Sequence, residues 1–335
     1  MLMNFNLMVF MFIMILSILI GVNSNSIFYF WISIEVNMIS FIPLILFNNK
    51  FYNDSFMKYF LIQSVGSSMM LMSSLMMYMN IMNMSLFLMM VIFLKMGVFP
   101  FLYWYINILN NLSWINCLFL MSVQKILLFF YISNILINFG MIDMTLFMLI
   151  YFLIFLNMLI SLILLFNSND VKVLMGCSSL NQMSWMIMSI FMSLKIWFYY
   201  YIFYVWSLIM VIMMFINYNI MFLKNLYYLN YFMKMILFFL MMMVMSIPPM
   251  IMFYLKSFSI YIILNNLMNF FSYLMMLISV MFMYFYMKIF MSSMLIEVNG
   301  LKSDLSGASM KINVGWMVSW LFLLFMYMIY WIILV

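Results

Sequence analysis

Residues 84–105 read Met-Ser-Leu-Phe-Leu-Met-Met-Val-Ile-Phe-Leu-Lys-Met-Gly-Val-Phe-Pro-Phe-Leu-Tyr-Trp-Tyr, an apolar run of the length that a helix needs to cross a bilayer. Two residues interrupt it. Lys95 places an ammonium group within the run, and Pro100 removes the helical hydrogen bond to the carbonyl of Met96, next to the lysine. Inside a membrane, backbone freed in this way is tolerated only where protein or a water-filled cavity satisfies it. The stretch therefore predicts a broken transmembrane helix with a charged, hydrated site at the break.

The whole chain has the composition of an integral membrane protein. Of its 335 residues, 71% are hydrophobic and 5% are charged, whereas about 25% of an ordinary globular domain is charged. Apolar runs of about 20 residues predict eleven transmembrane helices in one all-α, polytopic membrane domain, residues 1–335. The predicted spans lie near residues 2–20, 27–47, 57–79, 84–105, 113–138, 145–166, 172–192, 197–217, 232–265, 270–291 and 314–335. The ninth run contains Pro248 and Pro249 and is too long for one crossing, so it predicts a second broken helix.

The lysines that flank these spans, in the loops or close to the span ends, predict how the chain is oriented. Eight fall on the side of the N-terminus, and one, Lys195, falls on the other side. The eight are Lys50, Lys58, Lys172, Lys224, Lys234, Lys288, Lys302 and Lys311. Positive residues prefer the side from which a chain inserts. The 52 methionines and the lack of arginine are typical of an AT-rich organelle genome, so we expect the mitochondrial inner membrane, with the N-terminus in the matrix and the C-terminus in the intermembrane space.

Four ionisable side chains lie within the apolar runs: Glu35, Lys95, Lys125 and Lys256. An ionised group deep in a bilayer costs roughly 2.5–3.5 kcal/mol, so the four together cost about 10 kcal/mol. Desolvation favours their neutral forms and mutual proximity favours their charged forms, so groups balanced between the two can exchange protons. We therefore predict a proton relay. The alternative is that each side chain lies near a helix end and extends to the membrane surface.

Several classes of site are excluded by residues that the chain lacks. Without histidine, haem, copper and the usual zinc sites have no ligands. Cys117 and Cys177 lie in different spans, at no spacing typical of a metal cluster or a disulfide framework. Neither a G-x-G-x-x-G loop nor a basic cluster occurs. We therefore expect no cofactor or metal on this chain and no nucleic-acid partner.

Five segments together carry a resemblance to a known family. They are residues 31–43 (Trp-Ile-Ser-Ile-Glu-Val-Asn-Met-Ile-Ser-Phe-Ile-Pro), 95–104 (Lys-Met-Gly-Val-Phe-Pro-Phe-Leu-Tyr-Trp), Gln124-Lys125, 178–185 (Ser-Ser-Leu-Asn-Gln-Met-Ser-Trp), and the double proline with Lys256 seven residues later. Each alone is a weak signal, but their order is specific. Over nearly its whole length the chain resembles the antiporter-like membrane subunits of mitochondrial NADH:ubiquinone oxidoreductase, respiratory complex I, in the form found in invertebrates and specifically insects.

The resemblance implies an antiporter-like fold in which two inverted repeats each contain one broken helix. The first half-channel would cover about residues 27–140 and the second about 145–291, followed by a C-terminal helix at 314–335. The breaks would be marked by Pro100 and by Pro248 with Pro249.

The resemblance also implies roles for the ionisable residues. Glu35 and Lys95 would form the ion pair of the first half-channel, Lys125 would be the central relay, and Lys256 would be the terminal lysine of the second half-channel.

Some positions depart from the family's pattern. Leu102 and Gln182 stand where members often have histidine, and Ser246-Ile247 precedes the double proline where members often have two glycines. Without histidine, the expected carriers between the lysines are Gln182, Ser179, tyrosine hydroxyls and water. The second break is expected to be less flexible than usual.

The implied function is to couple electron transfer from NADH to ubiquinone with proton translocation, as a subunit of the enzyme without a redox centre of its own. FMN, iron–sulfur clusters and ubiquinone would be bound elsewhere in the complex. The expected partners are the neighbouring antiporter-like chain 4, the small chains 4L and 6, accessory subunits and phospholipids such as cardiolipin. Two other functions remain open: a stand-alone cation/proton antiporter, and a structural spacer in the membrane arm.

Overall fold

The chain folds into helices throughout the part that its computed structural model describes, which is residues 5–24, 26–48, 54–78, 84–139, 144–229, 231–248, 250–264 and 269–295. Within these ranges no β-strand is present beyond an isolated bridge between Asp170 and Phe222. The helices are α1 (Phe5–Val22), α2 (Ile27–Asn48), α3 (Asp54–Tyr78), α4 (Met84–Met96), α5 (Leu102–Asn111), α6 (Trp114–Met121), α7 (Val123–Phe139), α8 (Met144–Phe166), α9 (Val171–Met192), α10 (Leu194–Asn217), a 3₁₀-helix (Leu223–Tyr228), α11 (Tyr231–Met245), α12 (Ile251–Leu264) and α13 (Asn269–Leu295).

Each of the first ten predicted spans coincides with one helix or with a pair. Spans four, five and nine are pairs: α4 with α5, α6 with α7, and α11 with α12. The eleventh, at 314–335, lies outside the described residues, as do the flanking lysines Lys50, Lys302 and Lys311. The total of eleven transmembrane helices therefore stays a prediction.

The described ranges contain six segments long and apolar enough to cross a membrane. These are Ile27–Leu46, Ser55–Met77, Trp114–Leu136, Phe147–Phe166, Leu194–Asn217 and Phe270–Met291. Shorter apolar helices occur at Leu7–Val22, Met84–Met96 and Phe232–Met245. The chain is an integral membrane protein. Helix α9 is long enough to span but is rich in serine, and it packs against α5, α6, α7, α8, α10 and α12. Its polar residues are tolerated because protein surrounds them.

The two proline-containing breaks share one backbone geometry, a Schellman motif. In each, the first residue after the helix has a positive φ, +72° at Gly97 and +58° at Ser246. Two N–H groups then bond back to carbonyls of the last turn: Gly97 to Leu94 and Val98 to Phe93 after α4, Ser246 to Met243 and Ile247 to Met242 after α11. The next helix begins after an equal interval, at Leu102 and at Ile251. Pro100 and Pro248 lie in these breaks, as predicted, whereas Pro249 lies outside the described residues.

A third interruption, which the sequence analysis did not predict, separates α6 from α7 at Ser122. Its backbone leaves the helical region, at φ −116° and ψ −84°. The Ser122 hydroxyl donates to the Leu118 carbonyl at 2.6 Å, and the Ser122 carbonyl accepts the Tyr201 hydroxyl at 3.0 Å. Side chains therefore satisfy the backbone at this interruption, which is the condition for tolerating it within a membrane.

The order of helices in α1–α7 is repeated in α8–α13. Each set has three long helices, then a broken helix, then a final long segment. Neighbouring pairs correspond as well: α1–α2 with α8–α9, α2–α3 with α9–α10, α3–α4 with α10–α11, and α1–α7 with α8–α13. Two similar bundles therefore pack together, and α9 of the second contacts α5, α6 and α7 of the first.

Candidate functional site

Lys95 lies in the last turn of α4, immediately before the first break, and is 4% exposed. Its side chain passes over Gly66 of α3, where a β-carbon would come within 2.9 Å of the lysine Cγ. The Lys95 carbonyl, which the break deprives of a helical partner, accepts the Gln63 side-chain amide at 3.0 Å. The negative end of the α4 dipole also favours a cation at this position.

Glu35 occupies α2 and is half-buried. Its carboxylate lies close enough to Lys95 to interact electrostatically with the ammonium group. No ion pair within 4 Å joins them among the described residues, so the pair expected in the first half-channel stays a prediction.

Replacement of Gly66 by alanine is predicted to displace the Lys95 side chain. A methyl group there would overlap the lysine Cγ and come within 3.2 Å of its Cε, and overpacking of this kind typically costs about 1–3 kcal/mol. For the function that the resemblance implies, we expect proton translocation by the assembled complex to fall several-fold, measured as proton uptake into proteoliposomes per NADH oxidised. Gly176→Ala in α9 is the matched control, because the added methyl would meet only the terminal carbon of Leu109. Equal effects of the two variants would contradict the prediction.

Lys125 lies just after the interruption at Ser122 and is 3% exposed. Its ammonium nitrogen is 3.0 Å from the Met183 sulfur and 3.9 Å from the centroid of the Tyr105 ring. A desolvated cation over an aromatic face can gain about 2 kcal/mol, which offsets part of the cost of burial. The Tyr105 hydroxyl in turn contacts the Ser179 hydroxyl at 2.7 Å. Lys125 is therefore connected through one ring to a serine of α9.

Lys256 lies on α12, beyond the second break, and is 3% exposed. Its ammonium nitrogen faces the Trp185 ring, 5.5 Å from the centroid, and has no hydrogen-bond partner among the described residues. A buried polar group without a partner is unusual in a native structure and typically indicates a functional group or a water site. Lys95, Lys125 and Lys256 are each enclosed by protein within this chain, which favours an interior role over extension to the membrane surface.

Gln182 is fully buried on α9, the helix that also contacts Lys125 and Lys256. Its amide nitrogen donates to the Val244 carbonyl in the last turn of α11, and its amide oxygen accepts the Tyr200 hydroxyl. Val244 precedes the second break as Lys95 precedes the first, so Gln182 and Gln63 cap equivalent carbonyls. Leu102, the other position expected to replace a histidine, begins α5 and is buried.

Sequence reasoning missed several polar residues of the site. Gln63 and Asn157 are isolated amides in apolar helices, a signal that could have identified them. Ser122 carries no such signal, because serine is common in transmembrane helices. Lys234 was counted among the loop lysines, but it lies inside α11 and is 7% exposed. The charge count treated it as a flanking residue because it is close to the start of its span.

The relationship of this chain to known proteins follows from its match to the model of a protein family. The model for the NADH:quinone oxidoreductase/Mrp antiporter transmembrane region matches residues 24–83 and 78–282, more than half of the chain. The chain belongs to this family. The matched region contains Glu35, Lys95, Lys125 and Lys256.

Known proteins that are similar to this chain agree with this assignment. NADH-ubiquinone oxidoreductase chain 2 of Locusta migratoria is 28% identical over 280 residues, which is 80% of each chain. A chain of the membrane-bound sulfane sulfur reductase, an archaeal respiratory membrane complex, superposes with a TM-score of 0.79 at 15% identity, covering 96% of this chain and 72% of that one. A chain of respiratory complex I from Thermus thermophilus gives 0.74 at 12% identity, covering 88% and 72%. The fold is therefore shared with subunits of respiratory membrane complexes.

Proposed function

We propose that this chain is a core membrane-arm subunit of a respiratory NADH:ubiquinone oxidoreductase, where it couples electron transfer in other subunits to proton translocation. Membership of the NADH:quinone oxidoreductase/Mrp antiporter family and the likeness to chain 2 of Locusta migratoria support this function. The chain acts as part of the enzyme and carries no redox centre. It lies in the mitochondrial inner membrane, with its N-terminus in the matrix and its C-terminus in the intermembrane space.

The proposed mechanism is a relay that runs from Glu35 and Lys95 through Lys125 to Lys256. A change in charge at Glu35 alters the balance of neutral and charged forms at Lys95, because an opposite charge stabilises an ammonium group and burial destabilises it. The change at Lys95 then shifts the balance between the neutral and charged forms of Lys125, and a proton passes from Lys125 towards Lys256. The observation that carries this proposal is that α9 contacts both ends of the second step: Met183 touches Lys125 and Trp185 faces Lys256.

The groups proposed to carry protons along this second step are on α9 and α10. Ser179 bonds to Tyr105, whose ring lies under Lys125, and Gln182 bonds to the Tyr200 hydroxyl. The Tyr204 hydroxyl and the Asn181 side-chain oxygen are buried without a hydrogen-bond partner in the described structure. Polar atoms of this kind are the usual ligands of internal water, so water joins these side chains in the proposed relay.

The two similar bundles are proposed to be inverted repeats, each forming one half-channel. Helices α1–α7 include the first half-channel, about residues 27–140, and α8–α13 form the second, about 145–291. The shared Schellman geometry at Gly97 and Ser246 supports the correspondence of the two broken helices. A C-terminal helix at 314–335, which lies outside the described residues, is proposed to complete the domain.

The proposed partners are the other membrane-arm subunits, including the antiporter-like chain 4 and the small chains 4L and 6, together with accessory subunits and phospholipids such as cardiolipin. FMN, iron–sulfur clusters and ubiquinone are proposed to bind elsewhere in the complex.

Isolation of the complex tests the assignment. We expect this chain to copurify with NADH:ubiquinone oxidoreductase activity, and the purified assembly to acidify the lumen of proteoliposomes as added NADH is oxidised. An active complex that lacks the chain would contradict the proposal. The rival function, a stand-alone cation/proton antiporter, predicts Na⁺- or K⁺-dependent proton exchange by the purified single chain in liposomes, and that result would replace the proposal.

A further inference from the structure

Asn157 is a fully buried amide in the middle of the apolar helix α8. Its side-chain oxygen accepts the backbone N–H of Phe99 at 3.1 Å. Phe99 lies in the first break, where its N–H has left the helical hydrogen-bond pattern. The equivalent position of the second break is Pro248, which has no N–H to satisfy. Asn157 therefore supplies an acceptor at the one break whose sequence requires it.

The other end of the Asn157 side chain is bonded to α9. Its amide nitrogen donates to the Leu180 carbonyl at 3.1 Å and to the Ser184 hydroxyl oxygen at 2.8 Å. The Ser184 hydroxyl itself donates to the Leu180 carbonyl at 3.1 Å. One amide thus connects the first break to a single turn of α9, and both of its donor hydrogens and its acceptor oxygen are used.

That turn of α9, residues 180–185, also contacts the second break and two of the buried lysines. Gln182 bonds to the Val244 carbonyl, Met183 contacts the Lys125 ammonium, and Trp185 faces the Lys256 ammonium. Six consecutive helical residues cannot move independently, because their backbone hydrogen bonds hold them as one unit. A displacement of Phe99 that is transmitted by Asn157 therefore reaches the second break through the same piece of helix.

We propose that Asn157 is a positioning residue that couples the first helix break to the second through residues 180–185 of α9. The inference goes beyond the proposed relay: Asn157 holds no exchangeable charge and acts through the backbone of Phe99 and the position of α9. When the break next to Lys95 changes its geometry, the Gln182 contact with the last turn of α11 changes with it. Coupling of this kind requires a physical contact at each link, and each link here is a hydrogen bond or a shared helical turn.

Amide hydrogen exchange in the assembled complex tests the coupling. Asn157→Leu keeps the approximate volume of the side chain and removes its hydrogen bonds. We expect exchange in peptides covering residues 242–248 to accelerate about tenfold, the effect of losing roughly one buried hydrogen bond, although none of the hydrogen bonds of Asn157 in the described structure reaches that break. Ser161→Ala is the matched control on α8, because the Ser161 hydroxyl bonds only within its own helix, to the Met158 carbonyl. This control should leave exchange at residues 242–248 unchanged.

If Asn157→Leu accelerates amide exchange only around Phe99 and Leu180, the proposal is overturned, because Asn157 would then stabilise only its immediate surroundings. If the Asn157→Leu complex does not assemble, amide exchange in a Ser184→Ala complex tests the coupling instead. This substitution removes one of the two bonds to α9 and should accelerate exchange at 242–248 about threefold; no change would overturn the coupling. Failure of the relay is separable, because normal pumping by a Lys125→Met complex would reject the relay, whereas the coupling is judged only by exchange in the Asn157 and Ser184 variants.

Discussion

A complex assembled with Lys125→Met is expected to lose proton translocation through this subunit. Positioned proton-transfer groups contribute roughly 10²–10⁴-fold to the rate of a transfer step, and a methionine in this place can neither accept nor donate a proton. The ammonium group of Lys125 is the midpoint of the proposed path, enclosed by Met183 and the Tyr105 ring. The measurement is the ratio of protons taken up by proteoliposomes to NADH oxidised, and any translocation through other subunits persists.

The same variant separates the relay from a purely structural role. Methionine has nearly the length of lysine and no charge, so the burial cost of roughly 2.5–3.5 kcal/mol disappears, and we expect the complex to assemble fully and to be as heat-resistant as before or more so. A structural spacer predicts the reverse: altered assembly with unchanged pumping. Lys195→Met is the matched control, since Lys195 is exposed in the first turn of α10. Normal pumping by an assembled Lys125→Met complex would remove the relay role.

Gly97→Ala is expected to destabilise the subunit strongly. Gly97 has φ +72°, and a side chain in this region costs about 1–2 kcal/mol. The added β-carbon would also lie 2.5 Å from the Tyr105 β-carbon, and relief of such overlap costs about 1–3 kcal/mol more. Because Tyr105 also supports Lys125, the strain reaches the relay. We expect a markedly lower amount of assembled complex on native gels and a lower melting temperature.

Ser246→Gly provides the opposite change at the equivalent position of the second break. Ser246 has a φ of +58°, in the left-handed region that glycine adopts without strain but serine does not. Removing its side chain should therefore relieve backbone strain of the order of 1 kcal/mol. The variant is expected to assemble normally, with a melting temperature that is unchanged or raised. Equal losses in Gly97→Ala and Ser246→Gly would show that the two breaks do not share the geometry on which the comparison depends.

Much of the helical framework was predictable because it depends on local hydrophobicity. The lengths of α2, α8 and α10 agree with the predicted spans within a few residues, since about 20 apolar residues have few alternatives to crossing a bilayer. The breaks near Pro100 and Pro248 were predictable for a related reason: proline removes a backbone hydrogen bond wherever it occurs.

The interruption at Ser122 was not predictable in this way. Serine is compatible with a continuous transmembrane helix, and the hydroxyl that stabilises the interruption comes from Tyr201, on a helix distant in the sequence. The interruption affects the site directly, because Lys125 lies in the first turn of the helix that follows. Tyr201 lies 79 residues from Ser122 along the chain, so only the packing of the helices brings the two together.

The function of the amides also depended on tertiary structure. Gln182 was singled out for its position in a motif, but its contacts with Val244 and Tyr200 identify it as a cap on the second break. Asn157 was not singled out at all. An amide side chain has both donors and an acceptor, so the residue type alone does not reveal which backbone groups it joins.

Composition and hydrophobic spacing by themselves determined that this chain is a helical membrane protein with buried charges and proline breaks, because desolvation and backbone hydrogen bonding act on every residue locally. Only the tertiary structure decided which charges meet which side chains. It brought α9 into contact with both Lys125 and Lys256, and it bonded that helix to the second break directly and to the first break through Asn157 of α8. The physical reason is that in a low-dielectric interior each polar group must find a partner, and that partner is set by which helices pack together.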